Sequence, residues 1–149
     1  MGAKAIGTKD PGAVAFFMSN LCSEADLVYR FCYTALLNED KAQEVVKDTF
    51  RSVASQIRSF LDLEGHDIRY RLMCFAWEKI IDRDAPERKE CDTIAKEITN
   101  LSLECRCILI AVDVLGMSAT EARTIFNMKE HEISLYLAEG RKALLAIAS

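Results

Sequence analysis

The stretch from Leu101 to Leu144 constrains the fold most, because its apolar rhythm is interrupted twice by residues that stop and restart helices. Cys105, Ile108, Leu109 and Val112 put apolar groups on one face of a first helix, and Gly116 supplies a residue able to close it. Ser118 with Glu121 three residues later forms a capping-box pattern, in which a hydroxyl and a carboxylate satisfy orphan N–H groups of a new helix. Ala122, Ile125 and Phe126 form the inner face of that short second helix, and Asn127 suits the turn after it. A third amphipathic helix then carries Ile133, Leu137, Gly140 and Leu144 inward.

A short helix, a tight turn and a longer helix make the outline of a helix-turn-helix, whose second helix would lie in the major groove. Phosphates attract positive charge and base edges attract polar forks, so a reading helix normally shows Lys, Arg, Asn or Gln on its outer face. This one offers Glu130, Glu132, Ser134, Leu135, Ala138 and Glu139, with Arg141 and Lys142 only near its end. The outline fits either a DNA reader or a purely structural tri-helical unit, and the face chemistry weighs against the first.

Charge points the same way. Lys plus Arg number 19 against 23 Asp plus Glu, a net −4, so bulk electrostatics give no pull toward nucleic acid. No apolar run is long and charge-free enough to span a bilayer, and the N-terminus lacks a basic-then-apolar leader, so a soluble, cytoplasmic chain with no membrane contact is expected. The six cysteines could form a disulfide set, a metal site or plain core. With no C-x-x-C, and with His66 and His131 far from any cysteine pair, reduced core thiols and no metal are the expectation. There is also no Gly-rich phosphate loop, no paired His and carboxylate at motif spacing, and no nucleophile beside a base. The chain is therefore not expected to be an enzyme, and no catalytic residue, cofactor or small-molecule substrate is assigned.

Residues 1 to about 12 read as an arm without periodicity, followed by a short helix from Ala13 to Leu21. Ser23 is a candidate N-cap for a helix burying Leu27, Val28, Phe31, Cys32, Ala35 and Leu36, which Asn38 ends. The next helix spans about Asp40 to Phe60, with Ala42, Val45, Val46, Thr49, Phe50, Val53, Ala54 and Ile57 inward, antiparallel to the last. Asp62 to Asp67 reads as a loop, and Ile68 to Asp82 as a helix apolar around most of its circumference. The charged stretch around Pro86 suits a break. The fold class expected is all-α: two small helical bundles, at 13–83 and 101–149, joined by a linker at 84–100.

Leu27-Val28-Tyr29-Arg30-Phe31-Cys32-Tyr33, followed by the segment from Asp40 to Phe50, resembles region 2 of bacterial sigma-70 factors of the extracytoplasmic-function type, where L-Y-R-x-A-Y precedes D-x-A-E-D-L-V-Q-E-T-F. The tail is similar to region 4 of that class, with its L-P-x-x-x-R, G-x-S-x-x-E-x-A and V-K-S-R-x-x-R-A-R-x-x-L. The counterparts are Leu101, Arg106, Gly116, Ser118, Glu121, Ile125, Ile133, Arg141 and Leu144. The matches come in the family's order and cover most of residues 23–146.

The resemblance implies a transcription initiation factor that binds core RNA polymerase through region 2, opens the promoter's -10 element with it, and reads the -35 element with region 4. The polymerase-facing candidates are Asp40, Glu44, Lys47, Asp48 and Phe50, set against the alternative of a solvated acidic face. Candidates for the -10 contact are Trp77, which could stack on an unpaired base, with Lys79 and Arg83. Those for the -35 contact are Lys129, His131, Ser134, Tyr136, Arg141 and Lys142.

Departures concentrate where DNA should be touched. The family's I-A-R-N falls on Phe75-Ala76-Trp77-Glu78, and its V-K-S-R on Ile133-Ser134-Leu135-Tyr136. Two functions compete: an initiation factor directing polymerase to promoter DNA, and a sigma-like mimic that binds an anti-sigma factor or polymerase without reading DNA.

Overall fold

Pro11, whose fixed φ suits a first helical position, opens α1 (Pro11–Leu36), a 26-residue helix in a computed structural model that describes residues 11–82 and 96–148. The arm expected at residues 1 to about 12 lies almost wholly outside the described residues. The break expected near Ser23 does not occur, because no Gly or Pro interrupts residues 13–36 and Ser23 is simply an interior residue of α1. The helix ends at Leu37, which takes the left-handed conformation (φ 53°) and donates its N–H to the Tyr33 carbonyl at 2.8 Å. Asn38, expected to end α1, instead begins α2 (Glu39–Ser55), its side chain accepting the Lys41 N–H at 2.9 Å.

Helix α2 buries Ala42, Val45, Thr49 and Val53, and the Thr49 hydroxyl is satisfied by the Val45 carbonyl at 2.7 Å. Ala54, expected inward, is exposed. The chain breaks at Gln56 and resumes as α3 (Ile57–Phe60), which swings Phe60 fully into the core. Helix α4 (Gly65–Ile81) starts three residues before the expected Ile68, shortening the loop, and leaves Ile81 exposed. Helices α1, α2 and α4 pack on one another in pairs.

Arg83, Pro86 and Cys91 fall outside the described residues. The end of the expected linker is not irregular, since α5 (Lys96–Thr99) seats Ile98 and then Leu101 against Cys105 and Leu109. Helix α6 (Leu103–Leu109), capped by Ser102, runs into a π-helical turn (Ile110–Val114) that Gly116 closes at φ +79°. The wider turn rotates the helix face, so Val112 is only half-buried and Val114 faces solvent. Helix α7 (Ala119–Phe126) carries both halves of the capping box and ends at Asn127 in the left-handed region, as its sequence indicated.

Helix α8 (Glu130–Ala148) crosses α6 closely at Gly140, where a Cβ would stand 3.1 Å from the Leu109 side chain. Leu144, expected inward, is 41 % exposed because the last turns of α8 run past the helices that cover Ile133 and Leu137.

The helices of both segments contribute to one buried cluster, which runs from Val28, Phe31 and Trp77 to Ile108, Ala122, Phe126 and Ile133. Helix α1 packs on α6 and α4 on α7, so the two expected bundles share a core instead of each enclosing its own. The described residues are all-α, without strands, and contain no helix long and apolar enough to cross a membrane.

Candidate functional site

The outer face of α2 presents the polymerase-facing candidates as expected from their positions. Asp40, Glu44 and Lys47 are exposed, and Asp48 is partly exposed with Arg51 held one turn on at 2.6 Å. Glu44, Lys47, Asp48 and Arg51 line a shallow hollow of mixed charge. Phe50 differs: it is half-buried and packs on the core, so it supports the face from below.

Helix α4 departs from expectation at its central residue. Trp77 is only 5 % exposed, and its ring meets Phe126 of α7 edge-on, with centroids 4.8 Å apart and planes at 76°. It therefore cannot stack on a base in this arrangement. The physical reason is register, since Trp77 lies on the same buried face of α4 as Met73 and Ile80. Lys79 lies with its ammonium 5.6 Å from the Phe75 ring, and Arg83 is not described.

On α8 and just before it the expected contacts divide. Lys129, His131, Ser134 and Lys142 are exposed. Glu132 turns back to accept the Lys129 N–H at 3.0 Å, capping the helix start with a carboxylate. Tyr136 is half-buried beside the core and its backbone carbonyl lies 3.2 Å from the Cys105 thiol, while burial, with help from Glu104, pushes its hydroxyl above the usual range. It sits one turn from both Ile133 and Gly140, so helix period places it inward where the family pattern placed a contact. Arg141 grips Asp113 of the π turn through two bonds, at 2.7 and 2.9 Å. The Arg141 hydrogen bonds hold the Asp113 carboxyl below its usual range.

Three contacts that were not foreseen join the two segments. Arg106, 4 % exposed, donates to the Thr34 and Ala35 carbonyls at 2.8 and 2.6 Å, and to the Leu101 carbonyl at 2.6 Å. A buried cation thereby satisfies the orphan carbonyls at the C-terminus of α1, where the helix dipole favours positive charge. Arg69 of α4 holds buried Glu24 of α1 at 2.6 and 3.1 Å and donates to the Leu115 carbonyl at 3.2 Å. His66 Nε2 lies 3.0 Å from both carboxylate oxygens of Glu121. Partial burial opposes charge on Glu121, but the Ser118 N–H and His66 hold its carboxyl below the ordinary range.

These residues left a trace in the sequence. Glu24 falls on the stripe of Val28, Phe31 and Ala35, and Arg106 interrupts the run from Cys105 to Leu109; a charge on an apolar stripe signals a buried partner. The partner itself, far away in the chain, has no local signal.

Among the described cysteines, Cys32, Cys105 and Cys107 are buried, Cys74 is half-buried and Cys22 is exposed. Burial pushes the Cys105 thiol up to about 11, and Cys107 well above the ordinary thiol range. Among the described residues, no group of three or more His, Cys, Asp or Glu side chains is placed to hold a metal ion.

Comparison of the chain with protein-family models finds no match, and comparison with curated proteins finds none.

Proposed function

We propose that this chain is a sigma-like protein of the extracytoplasmic-function type that works by protein contact, binding polymerase or an anti-sigma factor without reading DNA in its closed form. The observation that carries the reading is Trp77, the residue aligned with the strand-opening position, buried edge-on against Phe126 at the junction of the two segments. Arg141, the best-matched cation of the -35-reading motif, is likewise occupied by Asp113.

Size gives independent support. Promoter elements named -10 and -35 are about 25 base pairs apart, roughly 85 Å of duplex at ~3.4 Å per base pair. A folded chain of this length has a radius of gyration of about 15 Å, so a body with one shared core does not reach both. The face that needs no opening is that of α2, where Asp40, Glu44 and Lys47 stand exposed.

That same face favours a second reading, a working initiation factor that directs core polymerase to promoters after its two segments separate. One experiment divides them: co-purification of the full chain with core polymerase, followed by promoter-dependent transcription. Under the first reading the chain binds polymerase or an anti-sigma factor and no promoter-specific transcript forms. Specific transcripts, with Trp77 required for strand opening, establish the second.

A further inference from the structure

The outer face of α8 lacks the cations of a DNA reader, yet it is not an ordinary solvated face. His131, Leu135, Ala138, Lys142 and Leu145 recur at alternating spacings of four and three, the pattern of a two-helix seam. All five are exposed, Leu135 by 68 % and Leu145 by 70 %. The stripe lies opposite the buried line of Ile133, Leu137 and Gly140, so it faces directly away from the core. Leu135 and Leu145, on one side of a helix, offer apolar surface to a second helix laid along it.

The geometry points to a second copy of this chain as the occupant, with its α8 antiparallel to the first about a two-fold axis near residue 140. In that register Leu135 of one copy meets Leu145 of the other, and Ala138 meets Lys142. The small alanine leaves room for the lysine stem, and the ammonium reaches Glu139, exposed beside Ala138 on the second copy. The axis repeats the contact, giving two Lys142–Glu139 pairs. A parallel pairing would instead set Lys142 against itself. Charge therefore selects the antiparallel arrangement, an isologous interface in which each stripe complements its own copy. Only about four turns of helix take part, so the dimer is small and concentration-dependent. It covers the face that a region 4 module would turn to DNA, so pairing and DNA reading exclude each other.

Sedimentation equilibrium of the full chain over rising concentration tests this. The wild-type mass climbs reversibly toward two chains. Leu135→Glu stays monomeric over the same range, with an unchanged circular dichroism spectrum because the position is exposed. Lys142→Glu raises the dimer dissociation constant roughly tenfold, since two attractive pairs become repulsive. Adding Glu139→Lys to that variant restores wild-type association. A wild type that remains a monomer, a dimer indifferent to Leu135→Glu, or a double variant that does not recover overturns the proposal.

Discussion

The outer face of α2 and the positions of α4 and α8 assigned to DNA contact from the sequence began from the same kind of expectation and ended differently. On α2, Asp40, Glu44 and Lys47 remain at the surface while Ala42, Val45 and Val53 hold the helix down. On α4 and α8, by contrast, Trp77 is drawn against Phe126, Tyr136 against the core, and Arg141 onto Asp113. Trp77 thereby ties the two segments together, while Tyr136 and Arg141 hold α8 to the helix and π turn of its own segment. Helix register decides the outcome in both places: a side chain on the apolar stripe is buried whether it is aliphatic or aromatic, and one on the opposite face stays at the surface.

The largest effect expected from breaking this arrangement is at the aromatic junction. Trp77→Ala removes a fully packed ring and should cost about 3–5 kcal/mol in chemical denaturation. A loss below about 1 kcal/mol would mean that α4 and α7 do not share a core. Arg106→Ala should come next, on the order of 3 kcal/mol, because it leaves helix-end carbonyls buried without a donor. Its unfolding should remain a single transition if the core is continuous. Two transitions, one per segment, would restore the picture of independent bundles.

Ser118→Ala should cost about 1 kcal/mol through loss of the cap on α7. Acid should sharpen the same comparison, since Glu121 and Asp113 both have carboxyls lowered by folding. Their contribution is present above the ordinary carboxyl range and is lost as pH falls through their lowered values. Glu121→Gln should therefore flatten the acid limb of a stability-against-pH curve. Asp113→Asn should flatten it as well, by a modest amount in both cases because His66 and Arg141 are each about half exposed and water screens the pairs. The smallest stability effect belongs to α2, where Glu44→Lys with Asp48→Lys should change the unfolding free energy by under about 0.5 kcal/mol. The same variant should lose binding to core polymerase in a pull-down. Undiminished binding would identify the face as merely solvated.

Much of the local structure was legible in the residues. The Ser118–Glu121 box, the turn at Asn127, the turn at Gly116 and, Ala54 apart, the inward faces of α1 and α2 follow from hydrogen bonding and helix period within a few residues. What was misread was also local in origin: Ser23 resembles a cap but has no helix break to cap, and Leu144 follows the apolar period past the point where anything covers it. The π turn at Ile110–Val114 inserts a wider ring that a fixed period of 3.6 does not anticipate.

The all-α class, the capped starts and stops around Ser118, Asn127 and Gly116, and most of the apolar faces are written in the residues themselves, since these depend on neighbours a turn or so apart. That the two segments share one core is visible only in the folded chain. That outcome rests on Arg106 finding the end of α1, Arg69 bridging Glu24 and Leu115, His66 meeting Glu121, and Trp77 meeting Phe126. Each of these pairs joins residues about 45 or more positions apart. No periodicity or capping signal reports such distances, because the free energy that fixes them comes from excluding water between surfaces that meet only after the helices have formed.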